Sequence, residues 1–252
     1  MKLALVSALL AMTELAVAQS FDHSLYDAIL KRHVKGFRVD YESLKRDKDF
    51  PVYLRALSEA NPERLASREE QIAFWINAYN AFTLKLVADH YPIKSITDIS
   101  ALGKLTAFFG DSPWKREFFS VGGKKMSLDK IEHEILRGKF REWRAHFALN
   151  CASISCPPLR NEAYVGEKLN AQLDEQAKAF LNDTLRNAID LPSKTLYLSK
   201  IFDWYEDDFV KAAGSTQKYL ARYADGELKQ KLLNEEFNIE YLDYDWGLND
   251  AR

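Results

Sequence analysis

The chain has 252 residues, 47% hydrophobic and 29% charged, with a net charge of −2 at neutral pH. That is an ordinary globular composition, sufficient for one domain with a sizeable core or two small ones. The balanced charge, with no long basic run, argues against nucleic acid or anionic lipid as partners.

Residues 1–18, MKLALVSALLAMTELAVA, have the layout of an export signal. Lys2 precedes an apolar run from Leu3 to Met12, and Ala16-Val17-Ala18 forms a cleavage motif before Gln19. A buried N-terminal helix is the alternative. The run is too short to span a bilayer, and no later stretch is long enough. The expectation is a periplasmic or secreted protein whose residues 19–252 form a single globular domain. No repeat, low-complexity tract or Gly/Ser- or Pro-rich linker divides them.

His23 to Val34 reads as a helix, Phe37 to Tyr41 as extended, and Phe50 to Ala60 as a helix ended by Asn61-Pro62. Ser67-x-x-Glu70 is a capping box that opens a long helix, stopped at His90 by Tyr91-Pro92. Trp75, Tyr79, Phe82 and Leu86 form one stripe, widened by Ile76 and Val87, with Leu84 on the far side. A helix apolar on several faces is expected to be central and buried. A hairpin follows, Arg116 to Val121 and Lys124 to Ser127 across Gly122-Gly123. Ser127 then caps a helix from Leu128 to Leu136. His146 to Asn150 reads as a strand, Gly166 to Asn182 as an amphipathic helix, and Leu196 to Ser199 as a strand. Helices near Trp204 to Ala213 and Gln217 to Tyr223 precede an extended Asn238 to Leu242. This predicts an α+β fold: a helix-rich single domain with a buried central helix and a small, mainly antiparallel sheet.

The segment HFALNCASISCPPL, residues 146–159, holds both cysteines of the chain, Cys151 and Cys156, behind His146. In an oxidising compartment the pair suits first a disulfide that pins a turn; a reactive thiol and a pair of buried free thiols are the alternatives. A regular strand would point His146 and Cys151 to opposite faces, so a cysteine–histidine pair requires the strand to break near Asn150. The C-x4-C spacing lacks the further ligands of a structural zinc site, and no metal is assigned. In SLDKIEHEIL, Glu132 falls among the apolar residues of the stripe, with His133 on its flank. A carboxylate there needs a partner, and His146 or Arg160 is the expected one. Asn77 and Asn80 interrupt the central helix one turn apart. Buried amides must be hydrogen-bonded, so they bind a backbone turn or line a pocket. FDWYEDDF (202–209) and YLDYDWGLN (241–249) mix aromatics with acids, as sugar or peptide grooves and wet-edged cores both do. No G-x-S-x-G, H-E-x-x-H, Walker or G-x-G-x-x-G motif is present, and no cofactor is implied.

Taken in order, AFWINAYNAFTLKLV (73–87), HYPIKSI (90–96), SLDKIEHEILR (127–137), HFALNCASISCPPLRNEAY (146–164), LSKIFDWYEDDF (198–209) and YDWGLN (244–249) resemble domain-of-unknown-function family 547. The similarity runs over about Val39 to Asn249. It implies a compact soluble domain and no defined activity. The family's recurrent polar positions fall on Asn77, Asn80, Glu132, His133, His146, Cys151, Ser155, Cys156 and Arg160. A faint likeness to papain- or transglutaminase-like folds is offset by asparagines where such an enzyme's helix carries its cysteine.

Two functional expectations follow. One is an exported hydrolase or acyl-transfer enzyme. Cys151 or Cys156 is its nucleophile, His146 or His133 its base, and Glu132 orients that base. Asn77, Asn80 and Arg160 contact the substrate. The other is a non-enzymatic exported domain that binds a small molecule or peptide, stapled by a Cys151–Cys156 disulfide.

Overall fold

The computed structural model describes residues 20–99 and 112–252; the expected export signal, residues 1–18, lies outside them. Helices α1 (Ser24–His33), α2 (Tyr41–Lys45) and α3 (Asp49–Glu59) open the described chain. Between α1 and α2 the two-residue strands β1 (Val34–Lys35) and β2 (Arg38–Val39) turn on Gly36. Helix α2 was not anticipated. Asp40 caps it by accepting the Ser43 N–H at 2.9 Å, which ends the expected extended piece at Tyr41.

Helix α4 (Arg68–His90) is the scaffold. The Ser67 hydroxyl accepts the Glu70 N–H at 3.1 Å. Glu70 turns back to the N–H of Ala66 at 3.0 Å, one residue earlier than the usual box partner. The anticipated stripe residues are all buried, and so is Leu84 on the opposite side. Each such Leu, Phe or Val contributes about 1.5–3 kcal/mol when fully buried, so α4 is held from every side. Its partners include Tyr26, Tyr41, Tyr53, Leu57 and Phe119 of the first hydrophobic core.

The hairpin forms as expected, β3 (Phe119–Val121) with β4 (Lys124–Met126), and Gly122 and Gly123 take positive φ at its turn. Ser127 caps the next helix through the Lys130 N–H at 3.1 Å. From Lys130 to Lys139 that helix is a π-helix, wider than the α-helix its pattern predicted. Next come α5 (Ala145–Ala148) and, after a short 3₁₀ turn at Gly166–Lys168, α6 (Leu169–Leu181).

Gly166 brings that turn against the first turn of α4. A Cβ there would lie 3.0 Å from Glu70 N and 3.1 Å from its Cα, with the Glu70 side chain closer still. Gly166→Ala is expected to cost about 1–3 kcal/mol, read as a lower urea midpoint with an unchanged m-value.

The rest of the chain builds a second core. Strands β5 (Ala188–Asp190) and β6 (Thr195–Leu198) pair antiparallel, and β7 (Asn238–Tyr241) joins β6 in parallel with Leu196 opposite Ile239. Helices α7 (Ile201–Trp204), α8 (Glu206–Ala213), α9 (Thr216–Leu220) and α10 (Gly226–Asn234) lie between β6 and β7 in sequence. Phe147, Phe180, Phe202, Phe209 and Tyr219 fill this core. After β7 the segment 244–251 returns to the first core. There the Leu248 N–H meets Lys94 O at 2.8 Å and the Ala251 N–H meets Val39 O at 3.0 Å. The architecture is α+β and helix-rich, with a buried central helix and small, mainly antiparallel sheets.

Candidate active site

The two cores meet at the cysteine segment. Ala145, Ala148 and Leu149 pack into the first core and Phe147 into the second. The expected strand from His146 to Asn150 is instead the helical turn α5, closed by the Leu149 N–H on Ala145 O at 2.9 Å. The chain becomes extended only at Leu149. The strand argument that set His146 and Cys151 on opposite faces therefore does not apply.

The two α4 asparagines hold the backbone beneath this segment. Asn80 donates to Ala148 O and accepts from Asn150 N–H, each at 2.9 Å. Asn77 grips Tyr164 in the same way, at 2.7 and 3.0 Å. Their amides are used inside the fold, not presented to a substrate. Asn150 in turn accepts from Ala152 N–H at 3.0 Å and donates to Pro157 O at 2.8 Å. The buried Arg186 caps Cys156 O at 3.0 Å and also reaches Ile154 O. From the other side, Gly247 O receives the Ile154 N–H at 2.8 Å. This bracing holds Ala152 at φ +65°, a left-handed conformation that costs a non-glycine residue about 1–2 kcal/mol.

Both thiols at this turn are free, so the Cys151–Cys156 staple is not formed here. Cys156 is buried, and its sulfur accepts the Cys151 N–H at 2.8 Å. Burial and the neighbouring Cys151 push its pKa up. Cys151 is the reverse case. Burial raises its pKa, but hydrogen bonds from Cys156, Ser153 and Tyr244 outweigh that and bring it down to about 7. The Ser153 and Tyr244 hydroxyls stand 3.1 and 3.2 Å from its sulfur. A lowered pKa favours the thiolate, the form that acts as nucleophile.

His146 is buried and its Nε2 lies 2.9 Å from Asp208 of α8. Its ring stacks on Tyr205 with centroids 4.0 Å apart. Among the described residues its Nδ1 makes no hydrogen bond, and the ring lines the same cleft as Cys151. Burial would raise the Asp208 pKa, but His146 and Arg137 hold it down to about 2. The Arg137 guanidinium lies 4.7 Å over the opposite ring, Tyr205. Glu132 also finds an unexpected partner, the Tyr205 hydroxyl at 2.6 Å, in place of His146 or Arg160. Arg160 pairs with Glu162 and Glu175 at 2.7 and 2.9 Å, away from the cleft. His133 meets Arg137 and, at 3.6 Å, Asp129.

Cys151, Cys156, His146, His133 and Glu132 all line one cleft of about 230 Å³. Trp204 and Trp246 form its rim, with 46% and 36% exposure, and stack on each other at 5.7 Å. Tyr244 packs against both, and Trp114 reaches Trp246 at 5.9 Å. The two aromatic-acid segments thus supply one wall. They also supply Asp208, Tyr205 and Tyr244, whose individual contacts no spacing rule could assign. Among the described residues, no group of three or more His, Cys, Asp or Glu side chains is arranged to hold a metal ion. No described helix is long and apolar enough to cross a membrane.

No curated protein and no solved structure matches the chain. One family does: residues 62–181, from the approach to α4 through the end of α6, match the family described as Protein of unknown function, DUF547.

Proposed function

We propose that the protein is a thiol-dependent acyl-transfer or hydrolytic enzyme, with Cys151 as nucleophile, His146 as general base and acid, and Asp208 orienting His146. The observation that carries this reading is the shared cleft: the Cys151 sulfur, contacted by the Ser153 and Tyr244 hydroxyls at 3.1 and 3.2 Å, lines the same cavity as an imidazole held by a carboxylate at 2.9 Å, and the lowered thiol pKa agrees with it. His146 takes the Cys151 proton as the sulfur attacks a carbonyl carbon, the S–C bond forms, and the π pair moves onto oxygen. Collapse expels the leaving group, which takes its proton from His146. Water or another acceptor then attacks the thioester with His146 as base and restores the thiol. The cleft is smaller than the roughly 300–1,000 Å³ of typical ligand sites, so it suits one acyl group or side chain laid against the aromatic wall. Residues 1–18 support reading the enzyme as exported.

The test uses two reagents on the purified protein. Iodoacetamide alkylation of Cys151 should rise with a midpoint near pH 7 and vanish in Cys151→Ser. p-Nitrophenyl acetate should leave an acetyl group on Cys151 and none on Cys156, seen by peptide mass spectrometry. An alkylation midpoint near the ordinary cysteine value of about 8.5, with no acetylation, overturns the reading. Two thiols that stay blocked until reductant is added would instead favour the stapled binding domain.

A further inference from the structure

An acyl transfer at Cys151 puts negative charge on the carbonyl oxygen, and a donor must meet it. Backbone N–H groups beside a nucleophile usually serve, but here they are occupied. The N–H of Cys151 goes to the Cys156 sulfur, and that of Ala152 to the Asn150 side chain. Those of Ile154, Ser155 and Cys156 go to Gly247 O, Asp245 O and Ser153 O. The Ser153 backbone acts on the Cys151 sulfur itself, lowering its pKa. Asn77 and Asn80 are committed to backbone.

Three tyrosines reach the cleft, Tyr79, Tyr205 and Tyr244. The Tyr205 hydroxyl is bound to Glu132, and the Tyr244 hydroxyl contacts the Cys151 sulfur and the Ser153 hydroxyl. Tyr79 differs. It rises from the middle of α4 at 2% exposure, and its hydroxyl has no hydrogen-bond partner among the described residues. Unlike the hydroxyls of Tyr26, Tyr164 and Tyr219, it is not sealed in the core. It opens into the cleft floor. Trp204 and Trp246 stand at the rim, 46% and 36% exposed.

Resting on the acyl-transfer reading above, we infer that Tyr79 is a further catalytic residue, whose hydroxyl donates to the substrate oxygen as it becomes an oxyanion. A lone buried donor facing a cleft suits this role. It is poorly served in the free enzyme and gains its partner only when charge develops, so its contribution falls on the transition state. Burial keeps the phenol protonated, and the negative charges of Glu132 and Cys151 act in the same direction.

Tyr79→Phe removes one oxygen and keeps the ring that packs the core. The experiment compares wild type, Tyr79→Phe and Tyr244→Phe with the two reagents. Iodoacetamide reacts by displacement at a saturated carbon and forms no oxyanion. p-Nitrophenyl acetate forms one before p-nitrophenolate leaves with its electron pair. In Tyr79→Phe, alkylation should stay within about twofold of wild type while acetylation slows about 10²–10³-fold. In Tyr244→Phe, both reactions should slow together at neutral pH, because that hydroxyl supports the thiolate. Equal acetylation of wild type and Tyr79→Phe overturns the assignment. So does a parallel loss of both reactions in Tyr79→Phe, which would make Tyr79 a support of the thiol. A wild-type protein that alkylates near pH 7 but never acetylates removes the acyl-transfer reading itself, and the Tyr79 role with it.

Discussion

Asp208→Asn should lower turnover of any substrate about 10³–10⁴-fold while leaving alkylation of Cys151 nearly intact. The carboxylate accepts from His146 Nε2 at 2.9 Å and from Arg137 Nε at 2.5 Å. An amide of the same shape can offer His146 an N–H instead, which imposes the other tautomer and turns the free nitrogen into a donor. A loss of that size accompanies the same replacement in serine proteases, where geometry is kept and the tautomer is wrong. Stability carries an independent signature. Asp208 titrates at about 2 in the folded chain, below its unfolded value of about 3.9. Its contribution is therefore fully present above about pH 4 and is lost as pH falls toward 2. The shift corresponds to about 2 kcal/mol. Wild type should exceed Asp208→Asn by that amount at neutral pH in denaturant titrations, and the gap should close in acid. Full activity in the variant would remove the Asp208 carboxylate as the group that orients His146.

Asn80→Ala is the second large effect, and it separates positioning from mere folding. The substitution leaves Ala148 O and the Asn150 N–H without partners in the interior. At about 1–3 kcal/mol for each buried group, the loss is roughly 3 kcal/mol. Asn77→Ala removes an equivalent pair of bonds from Tyr164 and should cost a similar amount. Only Asn80 touches the turn that carries Cys151. Alkylation at pH 7 should therefore fall about fivefold in Asn80→Ala, the loss of thiolate for one unit of thiol pKa above about 7, and stay unchanged in folded Asn77→Ala. Equal losses in the two variants would show that the turn's geometry does not set the thiol's reactivity.

The elements most legible in the sequence were those whose causes are local. Helix α4 carries a cap, an apolar stripe and a proline stop within one window, and the β3–β4 hairpin carries two adjacent glycines. Helix α5 was misread because four residues are too few for a 3.6-residue period to register. Polar and apolar residues in His146-Phe147-Ala148-Leu149-Asn150 do not distinguish a strand from a turn joining two cores. The cleft residues Cys151, Cys156, His146, His133 and Glu132 stood out as reactive types in short blocks, and the fold gathers them. Asn77, Asn80 and Arg160 also stood out as polar, but their partners are within the protein. Asp208 lies 62 positions from His146, and Tyr244 lies 93 from Cys151. Such pairings depend on how the second core docks, which no local pattern encodes. Both partners also lie beyond the stretch that matches the family.

The return of residues 244–251 to the first core bears on when the thiol becomes dangerous. Cys151 owes its low pKa partly to Tyr244, and the turn around it is pinned by the backbone of Asp245, Gly247 and Asn249. A chain still being made has its cysteines, its histidine and the whole central helix long before those residues arrive. Until they do, the sulfur lacks the Tyr244 hydroxyl that lowers its pKa in the folded chain. On the acyl-transfer reading proposed above, the order of synthesis would then act as a safety catch, with reactivity granted only to the finished fold.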